Sequence, residues 1–364
     1  MAKQYKIFYG ILDWGLGHAS RSIPIIRYLL KKGNELHIGS SGRAFDLLSK
    51  EIHPDKNVQF FRLPDYAPEY KGKKGLLGDM LRQTPHFLKT IKQEEKWMRL
   101  KQHSENYDLI ISDNRYGLHS EGAKNIFLSH QATILTPGKF GLLQYFVNRW
   151  YKNKYLKYFD EIWIPDSKDK HNLSGKLSLG HLPLKKRYIG PLSRFWNIES
   201  KGKKRKKYDL LLLLSGPEPQ RSFLEEMLLE QIRGMGYTTL CVQGKTELFS
   251  KAPFTDNIDQ ISYLNGDELL DAIQSSEKII CRSGYSTIME LAGLGKSAIL
   301  IPTPGQSEQE YLAHSLKEKG WFYSIEQDKF MLETALEAAE NYKLPYKIPV
   351  NYFYKKIGSV FKRL

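Results

Sequence analysis

Residues 277–309, EKIICRSGYSTIMELAGLGKSAILIPTPGQSEQ, carry the pattern from which the organisation of the whole chain can be argued. The short apolar run 278–281 predicts a strand, and residues 286–294 have the apolar spacing of an α-helix. A tight turn at 282–285 joins them, and the apolar run 297–301 predicts a second buried strand before a proline-rich loop. The stretch therefore predicts the strand–helix–strand unit of an α/β domain.

Two features of this stretch indicate a ligand-binding site. The turn offers free backbone N–H groups at a helix N-terminus, beside the hydroxyls of Ser283 and Ser286, which suits an anion such as a diphosphate. Glu290 follows Ser286 by about one helical turn, so both side chains project from the same face, where the carboxylate can accept hydrogen bonds from ribose or sugar hydroxyls. The same spacing also fits a capped helix with a solvated glutamate, and the residues alone leave both interpretations open.

The composition is that of an ordinary globular protein in a reducing compartment. A chain of 364 residues, 41% hydrophobic and 26% charged, predicts two domains with a core each. Cys241 and Cys281 lie in apolar runs and have neither disulfide nor metal-ligand spacing. No run approaches the ~20 apolar residues of a transmembrane helix, and the N-terminus does not resemble a secretory signal. We therefore expect a cytoplasmic protein.

The formal net charge of +15 favours an anionic partner, which can be nucleic acid, anionic lipid or a phosphorylated substrate. No motif of a nucleic-acid-binding module accompanies the charge, so no nucleic acid is expected. Residues 139–159 interleave Leu, Phe, Tyr and Trp with Lys and Arg, which is typical of a basic helix at a bilayer surface. This pattern favours peripheral binding to the inner face of the membrane, although it also fits a helix packed on its own domain with its lysines in water.

The first half of the chain begins with an alternation of strands and helices. Residues 5–12 predict a strand, the turn 13–18 reads DWGLGH, and a helical pattern follows. This start implies a parallel sheet with crossover helices. Two later strands end at Asp113 and His130, and ligands of open parallel sheets bind at the carboxyl ends of the strands. His18, Asp113 and His130 are therefore expected to point into one crevice.

A wholly polar, basic run at 201–207 separates this half from a second one in which the alternation restarts. The predicted organisation is an N-terminal Rossmann-like domain over 1–195, a basic linker over 196–207, a second domain over 208–345, and a C-terminal helix over 346–364 that crosses back to the first domain. Two α/β domains imply a cleft between them, which is the usual place for a ligand.

These motifs carry a family resemblance. The segment ICRSGYSTIMELAGLGKSAILIPTP, followed by EQEYLAHSLKEKG, is similar in order and spacing to the donor-site signature of MurG-like glycosyltransferases, the family 28 type. The GLGH of residues 15–18 resembles the glycine-rich loop of that family. The resemblance covers nearly the whole chain. It implies the GT-B fold, with two Rossmann-like parallel-sheet domains facing each other across a cleft.

The resemblance also implies roles for particular residues. The nucleotide-sugar donor would be bound by Gly17, Arg282, Ser283, Gly284, Ser286, Glu290, Gln309 and Glu310. Among these, Glu290 would hold the ribose hydroxyls, the residues of the turn would lie at the diphosphate, and Gln309 with Glu310 would contact the transferred sugar. His18 would be the general base, and Asp113 would orient it.

The chemistry agrees with these roles. Displacing a nucleoside diphosphate from a sugar needs a base for the acceptor hydroxyl, which contributes roughly 10²–10⁴-fold, and stabilisation of the leaving diphosphate. Histidine has a side-chain pKa near neutrality, and the helix N-terminus after Arg282 can stabilise the diphosphate without a metal. A single displacement would invert the anomeric centre. We therefore expect an inverting, metal-independent transfer from a UDP-sugar, with no cofactor and with an acceptor that the sequence does not identify.

One departure and two alternatives remain open. Residues 215–219, SGPEP, stand where the family often has a Gly-Gly-Ser-type loop, so the sequence does not show how this loop meets the diphosphate. A nucleotide-sugar epimerase of the same fold is one alternative, although such enzymes usually place several carboxylates around the sugar. A non-catalytic basic lipid-binding protein on a degenerate transferase scaffold is the other. The basic aromatic segments favour a lipid-linked acceptor for the enzyme.

Overall fold

The computed structural model describes residues 3–52, 56–66, 76–133, 141–179, 182, 184–195, 205–245, 251–255, 257–345 and 347–361. Contacts between residues divide the chain into two compact units. The first unit comprises Met1–Pro68, Gly78–Ser193 and Pro349–Leu364, and the second is built mainly from Arg194–Ile348. Only the last three residues of the predicted linker over 196–207 are among the described residues, and the first two residues of the basic aromatic segment 139–159 lie outside them.

The first unit contains a seven-stranded sheet in which all neighbours pair in parallel. Its order is β3-β2-β1-β4-β5-β6-β7. The strands are β1 (Lys6–Ile11), β2 (Glu35–Ser40), β3 (Val58–Arg62), β4 (Leu109–Asp113), β5 (Lys124–Leu128), β6 (Glu161–Ile164) and β7 (Lys185–Tyr188). All residues of β4 are buried, as expected for a strand covered on both faces. The strand order reverses between β1 and β4, which is where ligands bind in such sheets.

The helices of the first unit connect these strands and cover the sheet. They are α1 (Leu16–Lys31), α2 (Gly42–Glu51), α3 (Leu76–Glu105), α4 (Gly141–Lys154), α5 (Lys176–Leu179) and, from the end of the chain, α11 (Phe353–Phe361). The predicted glycine turn over 13–18 is shorter than expected, because Gly15 turns the chain with φ 87° and α1 begins directly after it. His18 consequently lies in the first turn of α1.

The C-terminal segment packs on the first unit. Phe353 of α11 lies edge-on to Tyr28 of α1, with 5.4 Å between the ring centroids. The hydroxyl of Tyr5, just before β1, donates a hydrogen bond to the carbonyl oxygen of Phe361 at 2.7 Å. Aromatic burial and this hydrogen bond fix the helix beside β1 and α1, the first two elements of the unit.

The second unit contains a seven-stranded sheet in the order β10-β11-β9-β8-β12-β13-β14. The strands are β8 (Tyr208–Leu213), β9 (Thr239–Val242), β10 (Lys251–Thr255), β11 (Ile258–Ile261), β12 (Ser276–Cys281), β13 (Ile299–Leu300) and β14 (Tyr323–Ser324). The edge strand β10 pairs antiparallel with β11, and the other neighbours pair in parallel. The helices are α6 (Gln220–Ile232), α7 (Gly266–Ser275), α8 (Tyr285–Leu294), α9 (Ser307–Glu318) and α10 (Leu332–Ala339).

The stretch 277–309 folds as predicted, since it contains most of β12, α8, β13 and the start of α9. The predicted pair of Rossmann-like parallel-sheet units is confirmed. In each unit the strand order reverses at one place, between β1 and β4 in the first sheet and between β8 and β12 in the second. Within the described part of the chain, no helix is both long and apolar enough to span a membrane.

Candidate functional site

In the first unit, His18 and Asp113 meet at the point where the strand order reverses. Asp113 is the last residue of β4, and His18 lies beside Gly17 in the first turn of α1, just after β1. Because β1 pairs with β4, His18 Nδ1 lies 2.8 Å from Asp113 Oδ1. Asp113 is fully buried, whereas the His18 side chain is 14% exposed. With the residues that the structure describes, His18 Nε2 makes no hydrogen bond, so this atom is the one left for a substrate.

Arg21 completes this cluster, and it was missed in the sequence. It follows His18 by three positions on α1, so both side chains lie on one face of the helix. Arg21 Nε donates to Asp113 Oδ2 at 2.9 Å, and Arg21 Nη2 donates to Asp113 Oδ1. Arg21 Nη1 lies 3.1 Å from Nδ1 of His130, which follows β5. Arg21 therefore brings together all three residues expected at the crevice.

The buried charges set the protonation states of this cluster. Burial by itself would raise the pKa of Asp113, but the charge of Arg21 and the hydrogen bonds from His18 and Arg21 more than offset it and hold the pKa well below its usual range. Burial lowers the pKa of His18, and the Arg21 guanidinium lowers it further against the opposing effect of Asp113. His18 is therefore neutral at neutral pH, which is the state that a general base requires.

In the second unit, the predicted donor-site residues lie at the carboxyl end of β12. Arg282 and Ser283 are buried between β12 and α8. The N-cap residue of α8 is Gly284, which has no side chain to bind the first N–H groups of the helix. Ser283 Oγ donates to the carbonyl oxygen of Gln309 at 2.8 Å, which ties the first turn of α9 to this turn. An anion at this point would meet an uncapped helix N-terminus.

Arg282 adds a buried positive charge beside this helix N-terminus. Its Nη2 donates to the carbonyl oxygen of Gln220 at 2.7 Å, and its Nη1 donates to that of Pro302 at 3.1 Å. Its Nε and Thr303 Oγ1 are both buried without a hydrogen-bond partner among the described residues. Among the described residues, no carboxylate pairs with Arg282. Burial lowers the pKa of Arg282 to about 10, so the guanidinium remains charged at neutral pH and an anion would stabilise it.

Glu290 is buried in an ion pair, so the alternative of a solvated glutamate is wrong. Arg194 Nε lies 2.8 Å from Glu290 Oε1, and Arg194 Nη2 lies 3.3 Å from Oε2. The side chains of Arg194 and Glu290 are 10% and 6% exposed. Ser286 precedes Glu290 by one turn of α8, as predicted. No pattern in the sequence pointed to Arg194, because it is distant in the chain and lies outside the described helices and strands.

Gln309 and Glu310 stabilise the loop that leads from β13 into α9. Gln309 Oε1 accepts a hydrogen bond from the backbone N–H of Thr303 at 2.9 Å. Glu310 Oε1 accepts one from the backbone N–H of Gly305 at 2.7 Å. Since Gly305 has φ 80°, the loop takes a left-handed conformation there that glycine adopts without strain. Both predicted sugar-contacting residues thus lie at the start of α9 and bind the loop that contains Thr303.

Comparisons with known proteins agree with this arrangement. Residues 227–346 match the glycosyltransferase family 28 C-terminal domain, and residues 5–115 match the model described as glycosyl transferase family 1. An uncharacterized glycosyltransferase of Methanosarcina mazei is 26% identical over 344 residues, which cover 87% of this chain and 84% of the relative. The solved structure of the glycotransferase of kitacinnamycin matches with a TM-score of 0.64 at 13% identity, over 93% of this chain and 90% of that one.

A second relative carries a more specific name. The UDP-N-acetylglucosamine--N-acetylmuramyl-(pentapeptide) pyrophosphoryl-undecaprenol N-acetylglucosamine transferase of Sulfurihydrogenibium sp. is 28% identical over 198 residues, which cover 52% of this chain and 54% of the relative. The chain is a GT-B glycosyltransferase of the family 28 type. The predicted fold class and the predicted enzyme class are both confirmed.

The loop over 215–219 distinguishes this glycosyltransferase from the family pattern. Glu218 Oε2 accepts a hydrogen bond from the backbone N–H of Ser222 at 3.2 Å, in the first turn of α6. Glu218 Oε1 accepts one from Arg221 Nε at 2.6 Å. The carboxylate of the chain itself therefore occupies a helix N-terminus where a phosphate would otherwise fit.

The described residues of this glycosyltransferase contain no cluster of three or more His, Cys, Asp or Glu side chains that could hold a metal ion. The groups available for chemistry at the two sites are Arg282, the N-terminus of α8 and the His18–Asp113 pair. The first two suit an anionic leaving group, and the pair suits proton transfer.

Proposed function

We propose that this glycosyltransferase transfers a sugar from a UDP-sugar to an acceptor hydroxyl, with inversion at the anomeric carbon. The observation that carries the proposal is the buried Arg282 guanidinium, which no described carboxylate neutralises, beside the uncapped N-terminus of α8. A diphosphate supplies the negative charge that this arrangement lacks. As the sugar–phosphate bond breaks, negative charge grows on the diphosphate, so the same groups stabilise the transition state more than the bound donor.

The His18–Asp113 pair supports the proton-transfer half of the reaction. His18 Nε2 accepts the proton of the acceptor hydroxyl while the acceptor oxygen forms a bond to the anomeric carbon. The bond from that carbon to the diphosphate oxygen breaks, and the diphosphate leaves with the electron pair. Asp113 accepts the Nδ1–H of His18 and stabilises the imidazolium that forms. Because the attack and the departure occur in a single displacement, the anomeric configuration inverts.

Glu290 is proposed to bind the ribose of the donor. The Arg194 ion pair holds the carboxylate in one orientation, and a carboxylate oxygen retains a second lone pair for a hydroxyl donor. The proposal that the donor nucleotide is UDP is supported by the relative in Sulfurihydrogenibium sp. That relative is named for a UDP-N-acetylglucosamine donor and a pyrophosphoryl-undecaprenol acceptor. A lipid-linked acceptor is proposed for this chain on the same grounds.

A lipid-linked acceptor would be met at a membrane surface, and we propose that α4 binds an anionic bilayer. Tyr145, Phe146 and Trp150 of this helix are 58%, 62% and 51% exposed. Arg149 and Lys154 are exposed on the same helix, and Lys154 Nζ lies 5.0 Å from the centroid of the Trp150 ring. Large aromatic side chains beside cations fit the boundary between headgroups and acyl chains.

Binding and turnover test the proposed function in two steps. Calorimetry with UDP, GDP, TDP and uridine should show the tightest binding for UDP and a large loss when the diphosphate is absent. Turnover of a panel of UDP-sugars should then release UDP, and NMR of the product should show the inverted anomeric configuration. No binding of any nucleoside diphosphate would contradict the donor assignment. Conversion of the sugar without acceptor and without UDP release would instead indicate an epimerase.

A further inference from the structure

Arg21 contacts every ionisable group of the first-unit cluster, and the proposed function does not use it. We propose that Arg21 is a positioning residue that keeps His18 in the neutral form, so that the ring can accept a proton. The inference rests on the proposed role of His18 as the general base. It concerns the resting enzyme, before any substrate binds.

Asp113 and Arg21 both contact Nδ1 of His18. Arginine only donates hydrogen bonds, and Arg21 occupies both carboxylate oxygens of Asp113. His18 Nδ1 lies 2.8 Å from Asp113 Oδ1 and 2.9 Å from Arg21 Nη2, so this nitrogen can either donate to the carboxylate or accept from the guanidinium. A protonated Nδ1 donates to the same oxygen that accepts from Arg21 Nη2. The lone pair of His18 is then on Nε2.

The charge of Arg21 disfavours the doubly protonated form of His18. Arg21 Nη2 lies only 2.9 Å from His18 Nδ1, so an imidazolium would form directly beside a guanidinium. In a pair of histidine and aspartate alone, the carboxylate would stabilise the imidazolium and raise its pKa. Here the ion pair with Arg21 already compensates the charge of Asp113. The low pKa of His18 agrees with this balance.

Arg21 also acts as a hydrogen-bond donor to His130. Since Arg21 Nη1 can only donate, His130 Nδ1 at 3.1 Å must accept, which leaves the proton of a neutral ring on Nε2. The other polar groups around the cluster are hydroxyls, from Tyr9 on β1 and Ser22 on α1. Burial raises the pKa of Tyr9, so it stays neutral. In the part of the chain that the structure describes, the charged groups in hydrogen-bond contact with His18 are the Arg21 guanidinium and the Asp113 carboxylate.

Histidine NMR tests the inference without any substrate. Ring-nitrogen spectra of ¹⁵N-histidine-labelled protein report the tautomer and the pKa of each ring, and His18→Gln assigns the His18 signals. Wild-type His18 should have a pKa below 6.5, the ordinary histidine value. Arg21→Met should raise the protonation constant of His18 at least tenfold. Asp113→Asn should lower it, because the guanidinium is then unopposed. Arg27→Met, on the exposed side of the same helix, should leave that constant unchanged.

A conservative variant covers the case in which Arg21→Met does not fold. Arg21→Lys keeps one positive charge beside Asp113 but cannot reach both histidines with a fork of donors. It should leave the pKa of His18 low. The neutral ring of His130 should then no longer be restricted to one tautomer. A folded Arg21→Met protein with an unchanged His18 pKa overturns the inference, and so does an Arg21→Lys protein in which His130 is unchanged.

The pH profile of kcat/KM separates this inference from the proposed function. If His18 is the base, the acid limb of the profile should move to higher pH in Arg21→Met by the same amount as the NMR pKa. A change in the NMR pKa without a shift of the acid limb would support the role of Arg21 and would show that His18 is not the general base. Absence of both shifts in folded protein overturns the role of Arg21 alone.

Discussion

Glu290 on α8 binds the guanidinium of Arg194 through both carboxylate oxygens, with distances of 2.8 Å to Nε and 3.3 Å to Nη2. The two side chains are nearly buried, and they are 96 positions apart in the chain. The carboxylate proposed to bind ribose is therefore held in place before a donor arrives. Such preorganisation reduces the conformational entropy that donor binding costs.

Glu290→Gln should weaken UDP binding by about ten- to a hundredfold, because hydrogen bonds to a charged acceptor contribute ~1.5–3 kcal/mol each. The substitution also leaves Arg194 without its anion, so the protein should lose stability. Calorimetry measures the first effect and thermal unfolding the second.

The double variant Arg194→Met/Glu290→Gln separates binding from stability. Removing both charges should restore much of the unfolding temperature but none of the UDP affinity. Wild-type UDP affinity in the double variant would show that Glu290 is only structural. Glu326→Gln is the matched control, since Glu326 pairs with Lys329 at 2.6 Å in the same unit and is exposed.

His18→Ala should lower kcat by roughly 10²–10⁴-fold and leave the affinity for UDP unchanged, because the base acts only on the acceptor. Since the pKa of His18 is lowered, the base is neutral above that pKa, and kcat/KM should fall on the acid side only below pH 6.5. His171→Ala provides the control, because His171 Nδ1 also lies 2.8 Å from an aspartate, Asp169, at the surface. Loss of UDP binding in His18→Ala would contradict a role confined to the acceptor.

The second-unit turn could be predicted because it is local. β12, Arg282 and α8 follow one another within twenty residues, so the apolar runs and the small turn residues specify them together. Arg21 and Arg194 could not be predicted in the same way. An arginine in an amphipathic helix normally extends into water, and only the parallel pairing of β1 with β4 places Asp113 beside Arg21. Contacts of this kind depend on the tertiary fold and leave no periodicity in the sequence.

Two other differences have physical reasons. The antiparallel edge strand β10 was not predicted from its sequence, KAPFT. Lysine and proline are common in edge strands, but they interrupt the apolar pattern by which a strand is recognised. The loop over 215–219 was expected near the diphosphate from its position alone. The sequence did not show that its carboxylate also caps α6, where Glu218 reaches the N–H of Ser222.

Arg282→Met should weaken the binding of UDP at least tenfold and leave the binding of uridine nearly unchanged, because only the diphosphate needs the buried charge. The ratio of the two dissociation constants is the measurement, since a general loss of stability would affect both ligands. Arg282→Lys keeps the charge and should retain part of the ratio. An unchanged ratio in Arg282→Met would show that the diphosphate does not bind at this turn.

Glu218→Ala should lower the free energy of unfolding by about 1 kcal/mol, the typical effect of losing a helix cap, without weakening UDP binding. Glu268→Ala removes half of the capping box of α7 and serves as a control with a similar loss of stability. UDP affinity measured on both variants decides the role of the loop. If the UDP affinity changes by more than about threefold in Glu218→Ala but not in Glu268→Ala, this helix N-terminus takes part in donor binding. A substitution at an unrelated surface site is expected to have a smaller effect.

Phe146→Ser/Trp150→Ser should abolish most of the binding to vesicles that contain anionic lipid, because both rings are more than half exposed on α4. Cosedimentation should show that wild-type binding weakens with salt, since each lysine or arginine near an anionic surface contributes about 1 kcal/mol that ions screen. Leu100→Ser removes an exposed apolar side chain from α3 of the same unit and should bind vesicles normally. An equal loss of vesicle binding in the α4 variant and in Leu100→Ser would count against α4 as the membrane-binding helix. Salt-independent binding to neutral vesicles would also count against it, because such binding does not need cations beside the aromatic side chains.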